Sequence, residues 1–184
     1  MHVKRSASFV GVLLSLLAVE AAAGEAFLKG GIDLRDSSAS GWGLADRWLV
    51  SVGYDWQAAR FAHLGFEVQS GYQSFAIGGK IQAKVVPLNA FFNLRVTSDA
   101  PAWRPYAGGG VGLMSQFDWE RVPFFPEVVN TFHYHRDLGV HFFGGIQIHR
   151  RFFFEYMAQT ALGETSLVGT AYRWSHLLMG GVIW

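Results

Sequence analysis

The stretch "FHYHRD" places His133 and His135 two residues apart, on one face of any extended segment. Two imidazoles at that spacing are a pattern that holds a metal ion. A stable site needs further ligands, and the chain has no cysteine and no clear third donor beside the pair. No metal is therefore expected. Ser175 and His176 are the residue types of a nucleophile and its base. They are adjacent, and on a strand adjacent side chains point to opposite faces, so they cannot meet. The glycine run "AGGGVG" at 107–112 has the composition of a phosphate-binding loop, but no helix follows to offer its N-terminal amides. Close packing within a strand explains these glycines better. No catalytic residue, no metal and no cofactor is expected.

The elements that must carry these residues alternate with a period of two. In "RWLVSVGYDW", Trp48, Val50, Val52, Tyr54 and Trp56 share one face, with Ser51, Gly53 and Asp55 on the other. "PLNAFFNLRV" sets Leu88, Ala90, Phe92, Leu94 and Val96 against Asn89, Asn93 and Arg95. "LGVHFFGGIQI" sets Leu138, Val140, Phe142, Ile146 and Ile148 against His141, Gly145 and Gln147. Successive side chains of a strand point to opposite sides of a sheet, so this is a strand signal. Such segments fall near 27–36, 47–57, 61–74, 82–97, 105–117, 135–149, 151–162 and 168–184. Short connections at "QAAR", "SDAPAW" and Arg150 alternate with longer ones at "SSASGWGLAD" and "ERVPFFPEVVNTFHY"; the short "AIGGK" breaks the rule.

Composition decides which face looks outward. Charged residues make up 16% and aromatic residues another 16%, with a formal net charge of +1. Soluble domains carry about 25% charged residues, and a near-neutral chain gives no reason to expect a nucleic-acid partner. The polar face is sparse and rich in Gly, Ser, Gln and Asn, which suits a narrow interior. The apolar face is continuous, with aromatics near the strand ends at Trp48, Trp56, Tyr72, Tyr106, Tyr156, Tyr172 and Trp174. That is the expected girdle of a lipid-facing wall. Lipid cannot satisfy an open sheet edge, so the sheet must close. "MHVKRSASFVGVLLSLLAVEAAAG" has the charged, apolar and small-residue parts of a secretory signal in order. Residues 1–23 are read as a cleaved signal peptide and 24–184 as one barrel domain.

With these residues in view, the chain resembles the small outer-membrane β-barrel proteins of Gram-negative bacteria, the opacity-like and OmpA-transmembrane-like group. The likeness is carried by "RPYAGGGVGL" at 104–113, "GVHFFGGIQI" at 139–148, the "FFFEYM" strand and the terminal "VIW". It implies an all-β, eight-stranded antiparallel up-and-down transmembrane barrel with periplasmic termini, in the outer membrane. Its partners would be outer-membrane lipid and lipopolysaccharide, with the barrel assembly machinery recognising the Trp184 end. Lipid A deacylases are similar in size and strand pattern, but the stretch comparable to their motif is Glu155-Tyr156-Met157-Ala158, without His or Ser.

A barrel of eight strands is filled by its own side chains. The expected luminal polar network is Asp33, Asp55, His63, Glu67, Arg95, His141, Glu155 and Gln159. A turn near 150 would set His141 opposite Gln159 and Gly145 opposite Glu155. A turn at 57–60 would set Asp55 opposite His63 and Ser51 opposite Glu67. Pro123, Phe124, Phe125 and Pro126 sit in a loop that barrel building does not require, and it either binds a surface partner or caps the barrel mouth. The expected role is non-catalytic, in envelope structure or surface interaction. The alternatives are a barrel hydrolase acting on lipid A or phospholipid, and a periplasmic lipocalin-like carrier.

Overall fold

The computed structural model describes residues 24–34, 47–77, 81–100, 102–123, 128–163 and 174–184. Its strands are β1 (Gly24–Asp33), β2 (Arg47–Ala59), β3 (Ala62–Ile77), β4 (Ile81–Thr97), β5 (Trp103–Pro123), β6 (Val128–Ile148), β7 (Phe152–Ala161) and β8 (Ser175–Ile183). Each pairs antiparallel with the next, and β8 returns to β1, closing an all-β barrel of eight strands. The signal expected at residues 1–23 lies outside the described residues.

The alternation read from the sequence is the alternation of inside and outside. On β2, Arg47, Leu49, Ser51, Gly53 and Asp55 are buried, while Trp48 and Val50 between them face outward. The closing seam explains the apolar end of the chain. The Trp184 amide donates to the Ala26 carbonyl at 3.0 Å, and the Ala26 amide donates back at 3.2 Å. Val182 and Leu178 continue the outward face of the same strand.

The short connections lie at the end of the barrel that holds Gly24 and Trp184. Arg60 and Phe61 join β2 to β3, residues 98–102 join β4 to β5, and His149 and Arg150 join β6 to β7. Arg60 reaches across to Asp99 at 2.8 Å, an exposed pair that contributes little. His149 and Arg150 have φ of 49° and 58°, and the Arg151 amide donates to the Ile148 carbonyl at 3.1 Å. This is a two-residue hairpin turn with both central residues left-handed, a geometry that favours Asn-Gly. The double variant His149→Asn/Arg150→Gly should therefore raise unfolding stability by about 1 kcal/mol, read as a higher urea midpoint.

That tight turn sets the register as expected, with His141 opposite Gln159 and Gly145 opposite Glu155. The β2–β3 register differs. Asp55 lies opposite Gly65 and Ser51 opposite Gln69, because β2 runs on to Ala59 and the turn falls at Arg60 and Phe61, with a one-residue irregularity between Gln57 and Ala59. The slip is two residues, so no side chain changes face.

A larger correction concerns the stretch 118–135. It continues the β5–β6 ladder, with Phe117 opposite Tyr134, Trp119 opposite Phe132 and Pro123 opposite Val128. β4 supports it from the side, as Lys84 pairs with Trp119 and Gln82 with Arg121. The expected loop is thus a tall wall. Of its tip, Pro123 ends β5, and Phe124, Phe125 and Pro126 lie outside the described residues.

Candidate functional site

The lumen gathers several of the chain's charged side chains into one cluster. Lys29 projects from β1 and is almost wholly buried, as are Glu67 on β3 and Glu155 on β7. Its ammonium lies 2.6 Å from Glu155 and 3.0 Å from Glu67, so one cation bridges two carboxylates. Glu67 also accepts from Ser51 Oγ (2.5 Å), Gln69 Nε2 (2.7 Å) and Asn93 Nδ2 (3.1 Å). Glu155 accepts one further bond, from the Tyr106 hydroxyl at 3.1 Å. Buried charge survives only where partners replace water, and each carboxylate meets that demand.

The network extends in both directions. His141 Nε2 donates to Asn93 Oδ1 at 2.7 Å, and its ring stacks on Phe91 with centroids 4.1 Å apart. Toward the short-turn end, Arg95 meets Asp55 at 3.2 Å and Glu25 at 2.9 Å. Of the other expected members, Asp33 and Gln159 are buried in the lumen, and His63 is half-buried opposite Gln57 and Arg95. The expected Asp55–His63 pairing is replaced by Asp55–Arg95. Sequence reading missed Lys29, the hub. The signal was there, because Lys29 shares a strand face with Asp33 four residues on.

Tyr106 is a second correction. It was expected in the lipid-facing girdle, but it is buried among Phe143, Phe153 and Glu155. On β5 it shares a face with Gly108 and Gly110, while Pro105 and Ala107 face outward. Phe27, Leu49, Met157, Leu177, Met179 and Ile183 join it in an apolar luminal cluster. A void of about 20 Å³ lies beside the charges, room for about one water molecule.

The chemical candidates are held apart. Ser175 is buried in the lumen, and His176 is on the outer wall, bonded through Nδ1 to the Tyr156 hydroxyl at 2.5 Å. His133 and His135 share the inner face of the tall wall with ring centroids 6.2 Å apart, and His135 lies 3.6 Å from Asp118. Among the described residues, no three His, Cys, Asp or Glu side chains converge as metal ligands.

The outer wall is apolar. Val96, Phe92, Val111, Leu138, Phe142, Phe154 and Leu178 are all exposed on it. At about 3.3 Å per residue and a tilt of roughly 40°, the climb from Ile148 to Leu138 is about 25 Å, the height of a hydrocarbon band. Above Leu138 the outward face turns polar at Arg136 and Ser115 and then aromatic again. Phe117 packs on Tyr134 and Trp119 on Phe132, with centroids 5.1 and 5.3 Å apart. Lys84 flanks this cluster on β4.

A closed eight-stranded antiparallel barrel, apolar outside and charged inside, is a transmembrane β-barrel. The fold is the one expected from the resemblance to small outer-membrane barrels. Solved structures similar to the chain include the N-terminal β-barrel domain of Pseudomonas aeruginosa OprF, at 11% identity and TM-score 0.47, covering 89% of this chain and 98% of that one. Ail, the attachment invasion locus protein of Yersinia pestis, gives 9% and 0.49, covering 89% of this chain and 100% of its own. Neisserial surface protein A gives 13% and 0.48, covering 87% and 94%. No protein-family model matches the chain, and no curated protein sequence matches it.

Proposed function

We propose that this chain is exported by a signal cleaved after residue 23 and serves as a non-catalytic barrel of the Gram-negative outer membrane. Its roles are envelope structure and surface interaction through the tall β4–β6 wall. The observation that carries this reading is the inside-out arrangement: a lipid-compatible outer face around a lumen sealed by ion pairs and aromatic rings. The outward cluster of Phe117, Trp119, Phe132 and Tyr134, with Lys84 and Arg136 beside it, favours lipopolysaccharide as its neighbour. Cations suit the phosphates of lipid A, and aromatic faces suit the apolar faces of sugar rings. The Trp184 end, aromatic and outward-facing on the closing strand, is the segment offered to the assembly machinery.

Membrane fractionation combined with a heated-versus-unheated gel shift tests this. Recovery in the outer membrane with a mobility change on boiling is expected. A soluble periplasmic protein without a shift overturns the reading.

A further inference from the structure

The end of the barrel that carries the short turns holds an open recess of about 780 Å³. His149, Arg150 and Arg151 line it from the β6–β7 turn, and Phe152, Val182 and Trp184 line it from the outer wall. Two features of this recess are not needed to build a hairpin. The turn keeps His and Arg at left-handed positions where Asn-Gly would relieve strain, and such strain is retained where the side chains themselves are used. The turn is also held in place from β8, since the Ile183 amide donates to the Arg151 carbonyl at 2.7 Å. The one acidic side chain lining the recess, Glu25, is already engaged by Arg95 at 2.9 Å. Arg150 and Arg151 are the cationic side chains that line it.

The wall above it has a dent. Gly180 on β8 lies directly opposite Gly30 on β1, and both face outward. A Cβ added at Gly30 would find only the Leu49 carbonyl at 3.9 Å, and one at Gly180 would first meet Phe154 at 3.6 Å. Both positions have room for a side chain and carry none. The inward glycines differ, since Gly31 and Gly181 beside them have no space for a Cβ. In its own row this dent is bordered by Phe154 and Val50, and Val182 and Leu28 form the row between it and the basic turn.

We propose that this recess and dent bind one anionic phospholipid, its phosphate held by Arg150, Arg151 and His149 and one acyl chain laid over Val182 and Leu28 into the dent at Gly180 and Gly30. Guanidinium groups grip a phosphate in paired hydrogen bonds. Two arginines beside an apolar wall with a dent match a lipid better than a soluble anion. The proposal rests on the outer-membrane reading, which turns this end toward the phospholipid leaflet.

The test is native mass spectrometry of the folded barrel released from micelles doped with phosphatidylglycerol or phosphatidylcholine, with the gel shift run on every sample. The wild-type barrel should retain one phosphatidylglycerol with a preference of about tenfold or more, equivalent to about 1.4 kcal/mol. The double variant Arg150→Gln/Arg151→Gln should lose that preference while keeping its gel shift. Gly180→Leu, which fills the dent, should weaken retention of phosphatidylglycerol in an otherwise intact barrel. Millimolar inorganic phosphate should not displace the lipid. Equal retention of both lipids, a preference untouched by the double variant, or displacement by phosphate alone overturns the lipid site and leaves the barrel reading standing. A wild-type sample with no gel shift overturns the barrel reading first.

Discussion

Lys29→Met should lower the unfolding free energy of the barrel by about 3–5 kcal/mol, the range for removing one partner from a buried ion pair. The loss arises from what is left behind. Glu67 and Glu155 both face the site of the ammonium, at 3.0 and 2.6 Å, and both are almost wholly removed from solvent. Methionine fills much of the same volume, so packing changes little and the effect reports electrostatics. Urea titration of the protein in lipid vesicles, scored by the unboiled gel band, would read it as a lowered midpoint.

The two carboxylates should respond unequally when the cation is gone. Glu67 keeps three donors, from Ser51, Gln69 and Asn93, whereas Glu155 keeps only the Tyr106 hydroxyl. Adding Glu155→Gln to Lys29→Met should therefore restore more stability than adding Glu67→Gln. A double-mutant cycle isolates the coupling, because the three groups are in direct contact. Equal rescue by the two substitutions would contradict the assignment of Glu67 as the better hydrogen-bonded acid.

Strand existence, facing and closure were legible because an inside-out barrel writes its two environments onto alternate residues. Register was legible only where a turn left no freedom. His149 and Arg150 form a two-residue connection, so the pairs His141–Gln159 and Gly145–Glu155 followed directly. The run of β2 on to Ala59 and the irregularity near Gln57 had no comparable signal, and Asp55 and Ser51 slid by two. Even so, Ser51 reaches Glu67 diagonally at 2.5 Å, because a slip of two keeps the face. The apolar half of the lumen was hidden for a different reason. In "FFFEYM" and "HFFGG" the alternation puts Phe153 and Phe143 on the inner face, but an apolar residue there breaks the rule that the inner face is polar, so they carry no luminal signal of their own. Pro123 and Pro126 are loop signals in the sequence, yet β5 runs to Pro123 and β6 starts at Val128. Phe132 and Tyr134 still alternate with His133 and His135, and that period was the overlooked evidence for two longer strands.

Gly112→Ala should destabilise the barrel by about 3 kcal/mol, at the upper end of the overpacking range, although it adds a single methyl group. A Cβ at this position would overlap the Ala90 carbonyl and the Phe91 Cα, which are backbone atoms of β4. Neither can swing aside as the end of a flexible side chain does, so β4 and β5 must separate. Gly112 lies directly opposite Phe91, whose ring stacks on His141 at 4.1 Å. Moving β4 would therefore also disturb the hydrogen bond from His141 to Asn93, and through Asn93 the carboxylate of Glu67. Gly30→Ala is the matched control. It also adds one methyl group to a strand glycine, but at an outward position whose nearest neighbour is 3.9 Å away. There the methyl removes backbone freedom from the unfolded chain, so stability should rise by roughly 0.4–1 kcal/mol. The same chemical change is thus expected to act with opposite signs on the two walls of one sheet. Urea midpoints for the two variants decide it. If both move in the same direction by similar amounts, the inward glycines are not what sets the approach of β4 to β5.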